Sequence, residues 1–259
     1  MNILLIAMNL LCVSVATNAQ LLSSQDLLDT LAPTGKLRAS LYLGGPTNVI
    51  VHPTTGEMKG VGYEIGKELA HRLGISYEPV IYKTPKLLVD DIESGNWDVA
   101  FIARSSSREK IMKFSETYLS LEQGFLVPTD SSIKTMEEVD RPEIRVGVPA
   151  GGSVISRVAG ILSDEILVEV GMPRAVALMR SGAVDVFSAN KGNLYQISDQ
   201  LPGSRVLDGY FSVDEFALGI PNGRKIEMSL LNEFIEEIKS QGLIEAASKR
   251  AGVRGVVDQ

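Results

Sequence analysis

The sequence predicts an α/β protein of two similar lobes, each a mainly parallel sheet flanked by helices, joined through two hinge crossings. Three observations carry this reading. Ser94-Gly95-Asn96-Trp97-Asp98-Val99 recurs in the second half of the chain as Ser181-Gly182-Ala183-Val184-Asp185-Val186. Each copy follows a helix-like stretch, Leu87 to Glu93 and Pro173 to Arg180, and each leads into an apolar run with strand character. Around each copy strand and helix signals alternate, the order that builds a parallel sheet covered by helices. Two such lobes facing each other leave a cleft between them, a common seat for a small ligand.

The elements follow in chain order. Lys36 to Leu43 alternates as a strand and stops at Gly44-Gly45-Pro46. Val61, Ile65, Leu69 and Leu73 mark one face of a helix closed by Gly74, and Ile75 to Tyr82 follows as a strand. The run from Asp98 completes the first cycle. A second cycle opens at Ile144-Arg145-Val146-Gly147-Val148, passes through Gly151-Gly152-Ser153 into a helix, and continues with a strand from Ile166 to Val170. Ile226, Leu230, Phe234, Ile235 and Ile238 then share one side of a terminal amphipathic helix, with another from Leu243 to Arg250. The short apolar runs Gly124–Pro128 and Phe216–Pro221 read as the two crossings. They divide the chain into a leader (1–19), lobe one (20–127), lobe two (128–215) and a return to lobe one (216–259).

Residues 1–19 contain no charged side chain and run from Ile3 to Ala16 with only Asn9 and Ser14 interrupting, ending in Thr17-Asn18-Ala19. This fits an export signal cleaved after Ala19, although the usual Lys or Arg ahead of the apolar run is absent. The single cysteine, Cys12, would leave with it, so a disulfide scaffold, a cysteine nucleophile and a thiolate metal site are excluded from the remaining chain. A net charge of −7 carries no basic footprint for nucleic acid.

Two constellations have chemistry in them. Ser105-Ser106-Ser107-Arg108 directly follows a strand, placing hydroxyls, helix-start N–H groups and a guanidinium fork at the carboxyl end of a sheet. That set suits a carboxylate, because the planar fork pairs both oxygens at once; the bland alternative is a solvated arginine on a polar helix. Gly151-Gly152-Ser153 lets a ligand approach the backbone with Ser153 at the helix N-cap, or is an ordinary strand-to-helix turn. His52 and His71 lack metal spacing, no Gly-x-Ser-x-Gly elbow exists, and Trp97 sits at an apolar position that suits core packing. No cofactor is expected.

Further residues resemble a known family. Gly35-Lys36-Leu37-Arg38, Gly60-Val61-Gly62-Tyr63-Glu64 before Leu73-Gly74, Ser94-Gly95 through Asp98, Arg108 followed by Phe114-Ser115 and Tyr118, and Gly147-Val148 before Gly151 are similar to the exported solute-binding proteins of the polar amino-acid type, family 3. The resemblance implies a two-lobed periplasmic-binding-protein (Venus-flytrap) fold, a periplasmic or secreted monomer, a small carboxylate ligand and an ABC permease as partner. It implies that Arg108 binds the ligand carboxylate, with Ser105 beside it and Ser153 donating from lobe two. The expected ligand-binding set is Tyr42, Asn48, Ser105, Arg108, Gly152, Ser153 and Asn190. At Asn190 the family's amino-acid binders place an Asp for the ligand ammonium; an amide accepts a hydrogen bond without neutralising the charge. The family's aromatic residue in the loop after the first strand is also missing, that region being Gly44 to Asn48. A cyclohexadienyl-dehydratase-like enzyme and a ligand sensor are the competing readings on the same fold, the first requiring a general acid or base at the cleft.

Overall fold

The computed structural model describes residues 25–162, 166–226 and 228–257, so the leader, its cleavage point and Cys12 lie outside the described residues. The first part of the chain forms α1 (Gln25–Leu31), β1 (Lys36–Tyr42), β2 (Ile50–Val51), β3 (Met58–Lys59), α2 (Val61–Arg72), β4 (Ser76–Tyr82), α3 (Pro85–Asp90), β5 (Val99–Ala103), β6 (Met112–Phe114) and β7 (Leu119–Val127). The second forms β8 (Arg145–Pro149), α4 (Val154–Val158), β9 (Ile166–Val170), α5 (Met172–Arg180), β10 (Val186–Asn190), α6 (Lys191–Ser198) and β11 (Arg205–Val206). The chain closes with β12 (Ser212–Pro221), α7 (Met228–Ser240) and α8 (Leu243–Ala251).

The fold is the two-lobed α/β architecture read from the sequence. In lobe one, β1 lies between β4 and β5, parallel to both. Leu37, Ala39 and Leu41 point to one face, where α2, α7 and α8 bring Ile65, Leu69, Phe234, Ile238 and Ile244. Tyr42, Ala100 and Ile102 occupy the opposite face with Leu88 and Trp97. Burial on both faces is why these strands read as apolar runs. Lobe two repeats the scheme, with β8 between parallel β9 and β10 and a core on each face.

The strands follow the order β4-β1-β5-β12-β7-β10-β8-β9 in one sheet that passes from lobe to lobe. The antiparallel pair β7 and β12 makes the passage. β12 pairs with β7 over Ser212–Phe216 and with β5 over Phe216–Gly219, while β7 pairs with β10 over Gln123–Leu126. Leu119 and Leu121 belong to the core of lobe one, Phe125 and Val127 to that of lobe two. The runs expected as crossings lie within these strands but each to one side of the passage, Gly124–Val127 with the core of lobe two and Phe216–Pro221 with that of lobe one, so the chain passes between cores just before each run.

The repeated Ser-Gly-x-x-Asp unit serves the same purpose in both lobes. Gly95 and Gly182 take φ of 70° and 68°, the left-handed region that ends the preceding helical turn. Asp98 then accepts from Arg38 N, Nε and Nη2 at 3.0, 2.9 and 2.7 Å. Asp185 accepts from the same three atoms of Arg145 at 2.9, 2.9 and 2.8 Å. Each arginine also donates to its repeat glycine carbonyl, at 2.6 Å in both lobes. The aspartates therefore lock the start of β5 and β10 to β1 and β8.

Candidate functional site

The carboxyl ends of β1, β5, β8 and β10 converge on the cleft between the lobes, where open α/β sheets present ligand sites. A cavity of about 30 Å³ lies there, bounded by Tyr42 and Arg108 from lobe one, Gly152, Ser153 and Asn190 from lobe two, and Asp214 from β12. That volume holds a water or two. The lobes are closed on one another, and a solute enters only when they part.

Arg108 reaches the cavity because β5 ends in a tight turn. Ser105 Oγ accepts from Arg108 N at 3.4 Å just ahead of the 3₁₀ turn Arg108–Lys110, which brings the arginine to the cavity. Its side chain is buried, with Nη1 donating to Ala103 O at 2.5 Å and Nη2 crossing the cleft to Gly151 O at 2.7 Å. Burial pulls the guanidinium below its ordinary pKa, and the nearby Tyr42 and Asp214 pull it back up. The same burial pushes the Tyr42 hydroxyl well above the usual tyrosine range, so it stays protonated beside Arg108.

Asp214 faces Arg108 from the hinge and is a residue that the sequence reading missed. It is 3% exposed. Its Oδ1 accepts from Ser153 Oγ at 2.5 Å and Gln123 Nε2 at 2.6 Å, and its Oδ2 accepts from Asn190 Nδ2 at 3.4 Å. One signal could have found it. Glu215 is exposed while Asp214 and Phe216 are buried, so a carboxylate occupies an inward position of an alternating strand.

The remaining sequence-derived residues divide. Ser153 stands at the N-cap of α4, but its side chain makes no capping bond and its proton goes to Asp214. Asn190 caps α6, accepting from Asn193 N at 3.1 Å, so its amide nitrogen is the part that faces Asp214. Asn48 lies away from the cavity: its Oδ1 accepts from Tyr42 N at 2.7 Å and its Nδ2 donates to Phe101 O at 2.5 Å, tying the loop after β1 to the sheet. Ser105 supports Arg108 without bounding the cavity. Asn193, unmarked in the sequence, joins the cavity wall. Among the described residues no group of His, Cys, Asp and Glu is arranged to hold a metal ion.

Comparison with known proteins finds similarity over most of the chain. The chain is 23% identical over 247 residues to the ABC transporter glutamine-binding protein GlnH of Bacillus subtilis (strain 168), covering 92% of this chain and 90% of that protein. A crystal structure of a mutant of ArgBP from T. maritima superposes with a TM-score of 0.77 at 20% identity, over 87% of this chain and 98% of that one. The ancestral amino acid-binding protein AncCDT-1, a precursor of cyclohexadienyl dehydratase, superposes with a TM-score of 0.74 at 20% identity, over 86% and 98%. These likenesses reach across both lobes. The family profile of the bacterial extracellular solute-binding proteins, family 3, matches residues 46–252, which span the cleft and both hinge strands; the chain belongs to that family.

Proposed function

We propose that this protein, exported to the periplasm or secreted, captures a small carboxylate-bearing solute of the amino-acid class and delivers it as a monomer to an ABC permease. The observation that carries this reading is Arg108: a buried guanidinium on lobe one whose Nη2 bonds a carbonyl of lobe two across the cleft. A carboxylate entering between the lobes offers that fork two acceptors in one plane and a charge to pair with, where the closed cleft gives it neutral carbonyls. Closure around such a solute stabilises the closed form by as much as the solute binds it better than the open one. Nothing in this cycle requires a reaction.

Thermal unfolding with a panel of amino acids, keto acids, hydroxy acids and prephenate tests the proposal. A solute at a hundred times its Kd stabilises the native protein by about 2.7 kcal/mol. Arg108→Ala is expected to abolish that shift. An unchanged shift in Arg108→Ala would remove the carboxylate assignment, and conversion of prephenate to product would replace binding with the dehydratase reading.

A further inference from the structure

We propose that Asp214, on the strand linking the lobes, is the seat of the solute's cationic nitrogen, so that the cleft takes a zwitterion with its carboxylate on Arg108 and its ammonium at the hinge. The proposal rests on the carboxylate reading of Arg108 and adds the second pole.

Asp214 is a buried carboxylate held by neutral donors only: a serine hydroxyl and two amide nitrogens. Among the described residues no Lys, Arg or His nitrogen forms an ion pair with it, whereas buried Asp98 has Arg38 and Arg224 at 2.7 and 3.0 Å. Arg108 acts on Asp214 only across the cleft, without pairing directly, and a buried carboxylate with no directly paired cation is costly. The second observation is independent of charge. Asn190 spends its oxygen on capping α6, and Gln123 turns its nitrogen to Asp214, which leaves the buried Gln123 Oε1 without a hydrogen-bond partner. Asn193 Oδ1, on the cavity wall, is likewise buried and without a partner. The unused capacity on this side, at Gln123 Oε1 and Asn193 Oδ1 and at Asp214 Oδ2, which accepts only one long bond from Asn190, is therefore all acceptor.

What complements a set of acceptors is a group made only of donors, and an ammonium carries three N–H bonds and no lone pair. Arg108 on the facing wall is the reverse, a donor-only cation. A hydroxy acid or keto acid satisfies Arg108 and leaves the acceptors beside Asp214 poorly paired or unpaired. An amine without a carboxylate does the opposite. Because Asp214 and Gln123 sit on β12 and β7 while Ser153 and Asn190 come from lobe two, a cation at Asp214 also draws lobe two onto the hinge.

Calorimetric titration of the wild-type protein with each proteinogenic amino acid and its α-hydroxy and α-keto counterparts tests this without any variant. The expected result is binding of an amino acid with its hydroxy counterpart at least ~100-fold weaker, the penalty for leaving a polar site unpaired. In Asp214→Asn the amino acid is expected to weaken by a similar factor, and Asn190→Asp added to that variant is expected to recover part of the loss by returning a carboxylate to the same wall. Equal binding of amino and hydroxy acids by the wild type would overturn the proposal while leaving Arg108 in place, as would an Asp214→Asn variant that binds within about threefold of wild type. Failure of every carboxylate to bind the wild type would overturn both readings.

Discussion

The position of Arg108 was legible: serines and an arginine directly after a buried strand fall at the strand's carboxyl end, and the 3₁₀ turn Arg108–Lys110, braced by Ser105 Oγ, delivers the guanidinium to the cleft, where its pairing with a carboxylate is the proposal. Asp214 was not legible by the same logic, since only the apolar half of its strand, from Phe216, stood out, and the inward-facing carboxylate lies just before it. Asn48 is placed differently from Arg108. A polar residue in the loop beside the first strand looks like a ligand contact, yet both ends of its amide are consumed by Tyr42 N and Phe101 O. Asn48→Ala strands a buried N–H and a buried carbonyl, each worth about 1–3 kcal/mol. Chemical denaturation is therefore expected to show a loss of about 2 kcal/mol or more, with solute selectivity among the panel unchanged; altered selectivity would return Asn48 to the site. Trp97, read as core, is 1% exposed in the cluster with Leu88 and Ile102.

Among elements, the repeated Ser-Gly-x-x-Asp unit is the part of the fold that sequence fixes most tightly, because a left-handed glycine and an Arg-Asp clamp recur with the same atoms in both lobes. The copies differ in burial. Asp98 is fully buried and also bonds Arg224 at 3.0 Å, while Asp185 and Arg145 are about a third or more exposed. Asp98→Asn is expected to cost about 3 kcal/mol or more, as for a broken buried pair; Asp185→Asn is expected to cost under about 1 kcal/mol. Equal losses would mean the second arginine contributes nothing. The Arg145 hydrogen bonds hold the Asp185 carboxyl below its ordinary pKa. Its contribution is thus fully present above the ordinary carboxylate range and lost as pH falls through the lowered folded value. Thermal unfolding of Asp185→Asn across acid pH is expected to show a shallower decline than wild type. The helix α6 and the full lengths of β7 and β12 escaped the sequence reading: α6 has no sharp apolar face, and long strands shared by two cores carry no break between them.

For the whole molecule, closure is set by close backbone contact as well as by charge. Gly151 has φ of 67° and lies so near α3 that a Cβ there would stand 2.6 Å from Lys86 N. Gly151→Ala is therefore expected to hold the lobes apart, seen as a larger radius of gyration in small-angle scattering and solute affinity reduced about tenfold or more; an unchanged radius with saturating solute would show that closure does not need this contact. The chain end adds a third link. Val257 N donates to Ser120 O at 3.0 Å on β7, and Arg254 reaches Asp199, the residue that closes α6, at 2.5 Å.

On the proposed reading, opposite charges on facing walls of one cleft, Arg108 from lobe one and Asp214 from the hinge, hold the two poles of a single small solute. A crystal structure of the protein with the amino acid that stabilises it most tests this directly. The solute carboxylate is expected within hydrogen-bond distance of the Arg108 guanidinium and its ammonium on Asp214. A solute bound with its carboxylate away from Arg108 would contradict it.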